Sequence, residues 1–341
     1  MLTAAIIGLG WWGKTLVESV QGRSDEITFA AAVVRTSSEE ARAFADRHAM
    51  RVVDGLDTAL ADEEIDAVVL ATPHSLHAHQ VIAAAAAGKH VFCEKPFALT
   101  KADAEAAVEA VTRAGVALGV GYNRRFHPEM AKLRESVRSG DLGVVMHLEA
   151  TMTFPNALSL RADQWRADPG ETPCGGLTPM GVHAVDGMID LCGRVDTVFC
   201  QSFRRVVDIP CDDTTSVLFR MKDGMSGYLG TLTATGPGFS LQLFGSKGWV
   251  RLDGMTHVAG APSEERRMRL FKSRTFQPVG GPVEVREAEA YDVTRAALEA
   301  FARAAAGGSA FPIPPEEMIH GAAVTEAIVR SAKSGQVERV A

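Results

Sequence analysis

The stretch Ala4-Ala5-Ile6-Ile7-Gly8-Leu9-Gly10-Trp11-Trp12-Gly13-Lys14-Thr15 decides the fold. A compact apolar run stops at a glycine, and Gly8, Gly10 and Gly13 stand in GxGxxG order where a strand gives way to a helix. Each glycine answers a different need. Gly8 permits a tight turn, Gly10 lets the backbone approach a pyrophosphate, and Gly13 lets the helix pack close on the strand. The helix N-terminus adds N–H groups and the positive end of its dipole, both of which favour an anion. Trp11 and Trp12, between the glycines, are expected to pack beside the cofactor.

Working outward, short apolar runs at 27–34, 67–71, 90–92 and 116–120 read as strands. They alternate with helical patterns at 39–48, 75–87 and 100–113. Such alternation predicts βαβ units and a parallel sheet covered on both faces. The second strand runs into Arg35-Thr36-Ser37, where an NAD-preferring site would place an acid for the ribose 2′-OH. Arg35 suits a 2′-phosphate, with Thr36 and Ser37 as hydrogen-bond donors. The expected cofactor is therefore NADP(H), with NAD(H) as the alternative.

After residue 121 the texture changes. Runs at 147–154, 197–207, 215–221, 226–233 and 241–244 follow one another as strands, with Lys222-Asp223-Gly224 as a hairpin turn. Helical patterns at 293–306 and 315–333 close the chain, and 264–285 reads as a loop or irregular edge. The expected class is α/β. Residues 1–121 form a doubly wound Rossmann domain, and residues 122–341 an α/β domain with a large open, mostly antiparallel sheet.

Composition narrows the partners. The 341 residues carry 42 acidic against 35 basic side chains, a formal net charge of −7. Proteins that track phosphates carry a basic excess, so nucleic acid is not expected as the main partner. No polybasic cluster points to a membrane surface, and no apolar run reaches the ~18 residues of a membrane-spanning helix. The first residues lack the positive leader of a secretory signal, so a cytoplasmic location is expected. The five cysteines include no CxxC pair and read as buried small hydrophobes in a reducing compartment. His74, His77 and His79 do not make a metal set, because His79 points away from the other two on a helix and no carboxylate or cysteine cluster stands near.

Further motifs carry a resemblance. They are Ala71-Thr72-Pro73-His74-Ser75-Leu76-His77, Glu94-Lys95-Pro96, Gly121-Tyr122-Asn123-Arg124-Arg125-Phe126-His127-Pro128, Trp165-Arg166-Ala167-Asp168-Pro169, Gly175-Gly176 and Gly181-Val182-His183-Ala184-Val185-Asp186. In order and spacing, together with Gly8–Gly13, the chain resembles the Gfo/Idh/MocA oxidoreductases (glucose–fructose oxidoreductase, inositol dehydrogenase and relatives). The resemblance implies NAD(P)-dependent oxidation of a secondary hydroxyl, or its reverse, on a sugar, cyclitol, related polyol or dihydrodiol. It also implies a homo-oligomer, dimer or tetramer, often built through the open sheet.

The resemblance makes Lys95 the catalytic lysine. A cation near the reacting oxygen stabilises developing alkoxide and can relay its proton. Glu94 is implied at the ribose or nicotinamide side, and Ala71, Thr72, Pro73, His74 and His77 along the nicotinamide. His183 is the second catalytic candidate. Thr178 reads as the N-cap of its helix, Pro179 as the first helical residue and Gly193 as the stop. Asp186, three residues beyond, is placed to orient the imidazole or meet substrate. Many sugar dehydrogenases of the family carry Asp four residues before this histidine, and here that position is Pro179. Asn123 and Arg124 follow a strand end, where open α/β sheets bind ligands, and read either as substrate contacts or as interface hydrogen bonds. Trp165 and Arg166 read as pocket lining or structure. A non-catalytic, dinucleotide-binding regulator on the same scaffold is the rival reading.

Overall fold

A computed structural model describes every residue except 35–37, 257–262 and 269. The chain opens with β1 (Leu2–Ile7), α1 (Trp11–Val20), β2 (Ile27–Val33), α2 (Glu39–Arg47), β3 (Arg51–Val53) and α3 (Gly55–Ala61). It continues through β4 (Ala67–Leu70), α4 (His77–Ala86), β5 (His90–Cys93), α5 (Lys101–Ala114) and β6 (Leu118–Val120). The six strands pair in parallel in the order β3-β2-β1-β4-β5-β6, so the order reverses between β1 and β4. This is the doubly wound arrangement expected from the alternation. Helices cover both faces of such a sheet, and β4, Ala-Val-Val-Leu, is accordingly buried throughout. Local signals set the ends of α5: the Thr100 hydroxyl accepts from the Asp103 N–H at 3.1 Å, and Gly115 closes the helix at φ +67°.

The rest of the chain contributes α6 (Pro128–Arg138), β7 (Val145–Thr153), α7 (Val182–Cys192), β8 (Val195–Phe203), β9 (Thr214–Met221) and β10 (Ser226–Leu232). Then come β11 (Gly238–Gly245), β12 (Gly248–Gly254), α8 (Ser263–Met268), β13 (Phe271–Pro278) and β14 (Glu284–Glu287). Last are α9 (Val293–Ala305), α10 (Pro315–Ser334) and β15 (Glu338–Arg339). Nine strands form the second sheet in the order β14-β13-β12-β11-β7-β10-β9-β8-β15. Among the described residues only β7 and β10 of this sheet pair in parallel. The strands alternate in burial, as a sheet covered on one face should. Leu148, Ala150, Met152, Val217, Leu229, Leu241 and Val250 meet Leu133 of α6, Val185 and Met188 of α7 and Ile328 of α10 in one core. The other face carries the cross-strand row Phe199, Leu218, Tyr228 and Glu149. Lys222-Asp223-Gly224 makes the β9–β10 hairpin as its composition indicates, with Gly224 at φ +93°.

Two expectations need correction. Residues 264–285, expected as a loop or irregular edge, contain the greater part of α8, β13 and the start of β14. The two strands lie toward one edge of the sheet, where little of the strand is covered and the apolar alternation that marks a strand is not required. The domain boundary also differs. One compact unit is Met1–Asn123 with Thr294–Ile319, and the other is Arg124–Val293 with His320–Ala341. Residues 294–319 join the first unit because Phe301 and Phe311 pack edge-on against Phe92 of β5, while Arg295 donates to the Ser19 carbonyl and Arg303 pairs with Glu26.

Candidate active site

In the first unit the glycine turn has the geometry its sequence implies. Gly8 sits at φ +97°, its N–H donates to Val33 O at 2.9 Å, and a Cβ there would lie 2.6 Å from Ala71 O. A Cβ at Gly13 would lie 2.0 Å from Gly8 O, so α1 can close on β1 only without a side chain. At Gly10 the reverse holds: among the described residues a Cβ would meet nothing within 4 Å, and no side chain caps α1. The turn is thus closed by protein at Gly13 and open at Gly10, at the N-terminus of a helix, as a dinucleotide pyrophosphate requires. Trp11 and Trp12 stand edge to face at 5.3 Å beside it, Trp11 exposed. Arg35, Thr36 and Ser37 lie outside the described residues. Glu40, near that strand end, pairs with Lys14 Nζ at 2.5 Å, which holds its carboxyl below the usual range.

The loops after β4 and β5 lie side by side, because those strands are neighbours. Ala71, Thr72 and Pro73 continue β4, and the Ala71 N–H donates to Ile7 O at 2.8 Å. The Thr72 hydroxyl donates to Gln80 Oε1 of α4 at 2.6 Å. His74 is buried, 5.9 Å from the ring of His77, which has no exposed surface. His77 Nδ1 lies 2.7 Å from Pro96 O, and Nε2 lies 3.1 Å from Thr72 O. The Lys95–Pro96 peptide is cis, and Lys95 is half-buried. The Lys95 N–H donates to Glu94 Oε2 at 3.2 Å. The Glu94 carboxylate occupies the space left by the missing side chain of Gly121. Burial raises its pKa, opposed by the Lys95 cation and the Trp12 indole. Burial also pushes the Cys93 thiol up, and its Sγ donates to Glu94 O, which suits an inert core cysteine. The Asn123 amide donates to the Thr294 hydroxyl at 3.4 Å, joining the segment after β6 to α9.

In the second unit His183 is a buried residue of α7. The expected N-cap is corrected: α7 begins at Val182, and Leu177–Gly181 forms a π-helical turn in which the Gly181 N–H donates to Gly176 O at 3.0 Å. Thr178 does not cap, because its hydroxyl donates to Pro173 O at 2.8 Å. The backbone before the turn presses on the loop that leads into β9 so closely that a Cβ at Gly175 would lie 1.9 Å from Asp212 O. Gly193 ends α7 at φ +80°, as expected. Such wide turns recur at functional sites. Asp186 is held by Arg125, Nε to Oδ2 at 3.1 Å and Nη2 to Oδ1 at 2.5 Å, and Asp190 is held by Arg134 at 2.8 and 2.6 Å. Arg124 stacks on Phe239 at 4.4 Å and donates to Met255 O, and burial lowers its pKa to about 9. Arg166 stacks on Trp165 at 4.1 Å, with burial lowering its pKa to about 10.

The structure thus brings Thr72, His77 and the Lys95–Pro96 turn together, and takes Asp186 to Arg125. The Arg125–Asp186 and Gln80–Thr72 pairings escaped the sequence reading. The partners lie 61 and 8 residues apart, and no local spacing signals either pair.

Residues 2–122 match the family model described as an oxidoreductase family with an NAD-binding Rossmann fold, and residues 130–251 match the GFO/IDH/MocA C-terminal domain. The myo-inositol 2-dehydrogenase of Thermotoga maritima is 29% identical over 279 residues, covering 76% of this chain and 78% of that protein. The rhizopine catabolism protein MocA of Rhizobium meliloti is 31% identical over 252 residues, covering 72% and 69%. Among solved structures, an aldose-aldose oxidoreductase from Caulobacter crescentus superposes with a TM-score of 0.85 at 25% identity, covering 99% of both chains.

Proposed function

The chain belongs to the Gfo/Idh/MocA family of oxidoreductases, and on that premise we propose that it transfers hydride between NADP(H) and a secondary hydroxyl, or the matching carbonyl, of a small polyol, sugar, cyclitol or dihydrodiol. It is an NAD(P)-binding oxidoreductase of the sugar and cyclitol dehydrogenase type. The observation that carries the reading is the contrast between Gly13, where added bulk meets Gly8 O, and Gly10, where the turn is open at a helix N-terminus. The inositol and aldose oxidoreductases among its relatives support the substrate class.

The glycine turn and the first-turn N–H groups of α1 hold the pyrophosphate, with Trp11 and Trp12 alongside. Arg35, with Thr36 and Ser37, takes the 2′-phosphate; Glu40 is occupied by Lys14. NAD(H) is the alternative. The bound nicotinamide supplies the hydride acceptor or donor. Lys95 stabilises charge on the substrate oxygen and takes or returns its proton. His183 positions that oxygen or relays the proton. Arg124, Trp165 and Arg166 are substrate-side candidates. Burial lowers the pKa of both arginines, but to values of about 9 and 10 that leave them charged near neutral pH. The assembly is a homo-oligomer, dimer or tetramer, formed through the open sheet face that bears Phe199, Leu218 and Tyr228, and light scattering checks it.

One observation favours a second reading, a dinucleotide-binding regulator: Pro179 stands where many sugar dehydrogenases of the family carry an acid, and proline neither takes nor gives a proton. Calorimetric titration with NADPH and NADH, then hydride-transfer assays on the wild type and Lys95→Ala, separate the readings. The dehydrogenase binds NADPH more tightly, and Lys95→Ala loses turnover while keeping the cofactor. A regulator binds the cofactor and turns nothing over. Tighter NADH binding overturns the role of Arg35.

A further inference from the structure

The ring of His77 lies between two carbonyl oxygens, Pro96 O at 2.7 Å from Nδ1 and Thr72 O at 3.1 Å from Nε2. Both are acceptors only, so the neutral ring donates to one of them, Pro96 O at the shorter distance, and only the doubly protonated ring donates to both. With no exposed surface, the ring has no face left for a ligand. It therefore differs from a cofactor contact, the part its position in the sequence implies. It is instead a staple between the chain ends of two neighbouring parallel strands, β4 and β5.

The two loops so joined are not equivalent. The loop after β4 has a second anchor on the same helix, Thr72 to Gln80 at 2.6 Å. The loop after β5 carries Lys95. The Lys95 main chain is fixed on one side by its own N–H on Glu94 Oε2 at 3.2 Å, and on the other by Pro96, whose φ is set by its ring and whose carbonyl is engaged by His77. A flexible lysine side chain reaches a defined point only from a fixed Cα.

We propose that His77 is a positioning residue for Lys95, acting through the Nδ1–Pro96 carbonyl bond, with the Nε2 arm secondary. The proposal rests on the reading of Lys95 as the group that handles the substrate proton. The two arms can be tested separately, because an asparagine amide N–H stands about where Nδ1 stood and a glutamine amide N–H about where Nε2 stood. His77→Asn keeps the Pro96 arm, and His77→Gln keeps only the Thr72 arm. Expected for His77→Gln is a fall in kcat of roughly 100-fold with cofactor KM within about threefold, while His77→Asn stays within about tenfold of wild type. The pH dependence of Lys95 acetylation by acetic anhydride, read by mass spectrometry on the whole chain, should be displaced in His77→Gln and restored in His77→Asn.

A rise in cofactor Kd that matches the loss of kcat in both variants would return His77 to the cofactor and overturn the proposal. Equal losses in both variants with coincident labelling curves would also overturn it, as would failure of both to fold, which assigns the ring to packing alone. If the wild type transfers no hydride to any polyol, the dehydrogenase reading fails by itself. The labelling curves then still decide: displacement in His77→Gln but not in His77→Asn sustains the staple, and coincidence ends it.

Discussion

Arg125 grips Asp186 with two edges of its guanidinium, Nε to Oδ2 and Nη2 to Oδ1, and both side chains are buried. Asp190, held by Arg134, lies 3.6 Å from Arg125 Nη1, so the charges form one network between the segment before α6, α6 itself and α7. Removing one partner strands a buried charge. Asp186→Ala should therefore lower unfolding free energy by about 3–5 kcal/mol, and Arg125→Met with Asp186→Leu should recover most of it. Urea unfolding of the single and double variants checks this. Unchanged stability with lost turnover would instead place Asp186 with the substrate.

The two glycines of the turn should respond in opposite ways. Gly13→Ala pushes a methyl into Gly8 O and should cost about 1–3 kcal/mol or more of stability, with cofactor binding lost as α1 is displaced. Gly10→Ala meets no atom of the described residues and should cost under about 1 kcal/mol, yet weaken NADPH binding at least about tenfold. Thermal melts with and without NADPH separate the two. Equal NADPH affinity in wild type and Gly10→Ala would remove the pyrophosphate from this turn.

Acid should destabilise the second unit through two buried histidines. His320 Nε2 accepts the Val195 N–H at 3.0 Å, and His127 Nδ1 accepts the Glu129 N–H at 3.2 Å. Burial is the main cause that lowers both to about 4. The unfolded chain then takes up protons first. The contribution is whole above about pH 6.5 and is lost as pH falls toward 4, at most about 3 kcal/mol for each. His320→Gln retains an acceptor for Val195 and cannot titrate. Its unfolding free energy should fall less steeply than that of the wild type between pH 6.5 and 4, and parallel curves would refute the assignment.

Asp213 organises the loop after β8. Its Oδ2 accepts the N–H groups of Arg205, Val206 and Val207 at 2.9, 2.6 and 3.1 Å, and Oδ1 accepts the Thr214 hydroxyl. Burial works against its charge, but these bonds prevail and hold the carboxyl below the usual range. The loop's Val207, Ile209 and Cys211 pack with Ala167, next to Arg166. Asp213→Ala should release the three amides to hydrogen exchange and cost about 3 kcal/mol. Unchanged exchange at 205–207 would show that the loop holds without it.

The Rossmann half was legible because its causes are local. Strands buried on both faces are uninterrupted apolar runs, and the turn needs glycines at fixed offsets. β3 and α3 carry no periodic signal, because β3 is three largely exposed edge residues and α3 buries only Ala59. β14, at the edge of the other sheet, is exposed throughout, and its neighbour β13 buries only Phe271 and Thr275, so neither shows an apolar alternation. The π turn before His183 follows glycines packed against Asp212, in the loop before β9, and against Thr231 of β10, both far along the chain, while its Thr-Pro pair imitates an ordinary helix start. The Lys95 motif could be read, but the two carbonyls that meet at His77 could not, because backbone acceptors have no letter in a sequence.

The first unit is discontinuous: residues 124–293 interrupt it, and 294–319 return to complete it. In a chain made from its N-terminus, β5 emerges long before Phe301 and Phe311, the rings that cover Phe92. The nucleotide-binding half, although first in order, is thus finished late. During synthesis an apolar side of its sheet stays bare while the whole inserted segment is translated. A truncation anywhere before residue 301 removes part of the seemingly remote N-terminal half, so premature stops before that point, however late in the chain, should be as damaging to cofactor retention as lesions in the glycine turn itself.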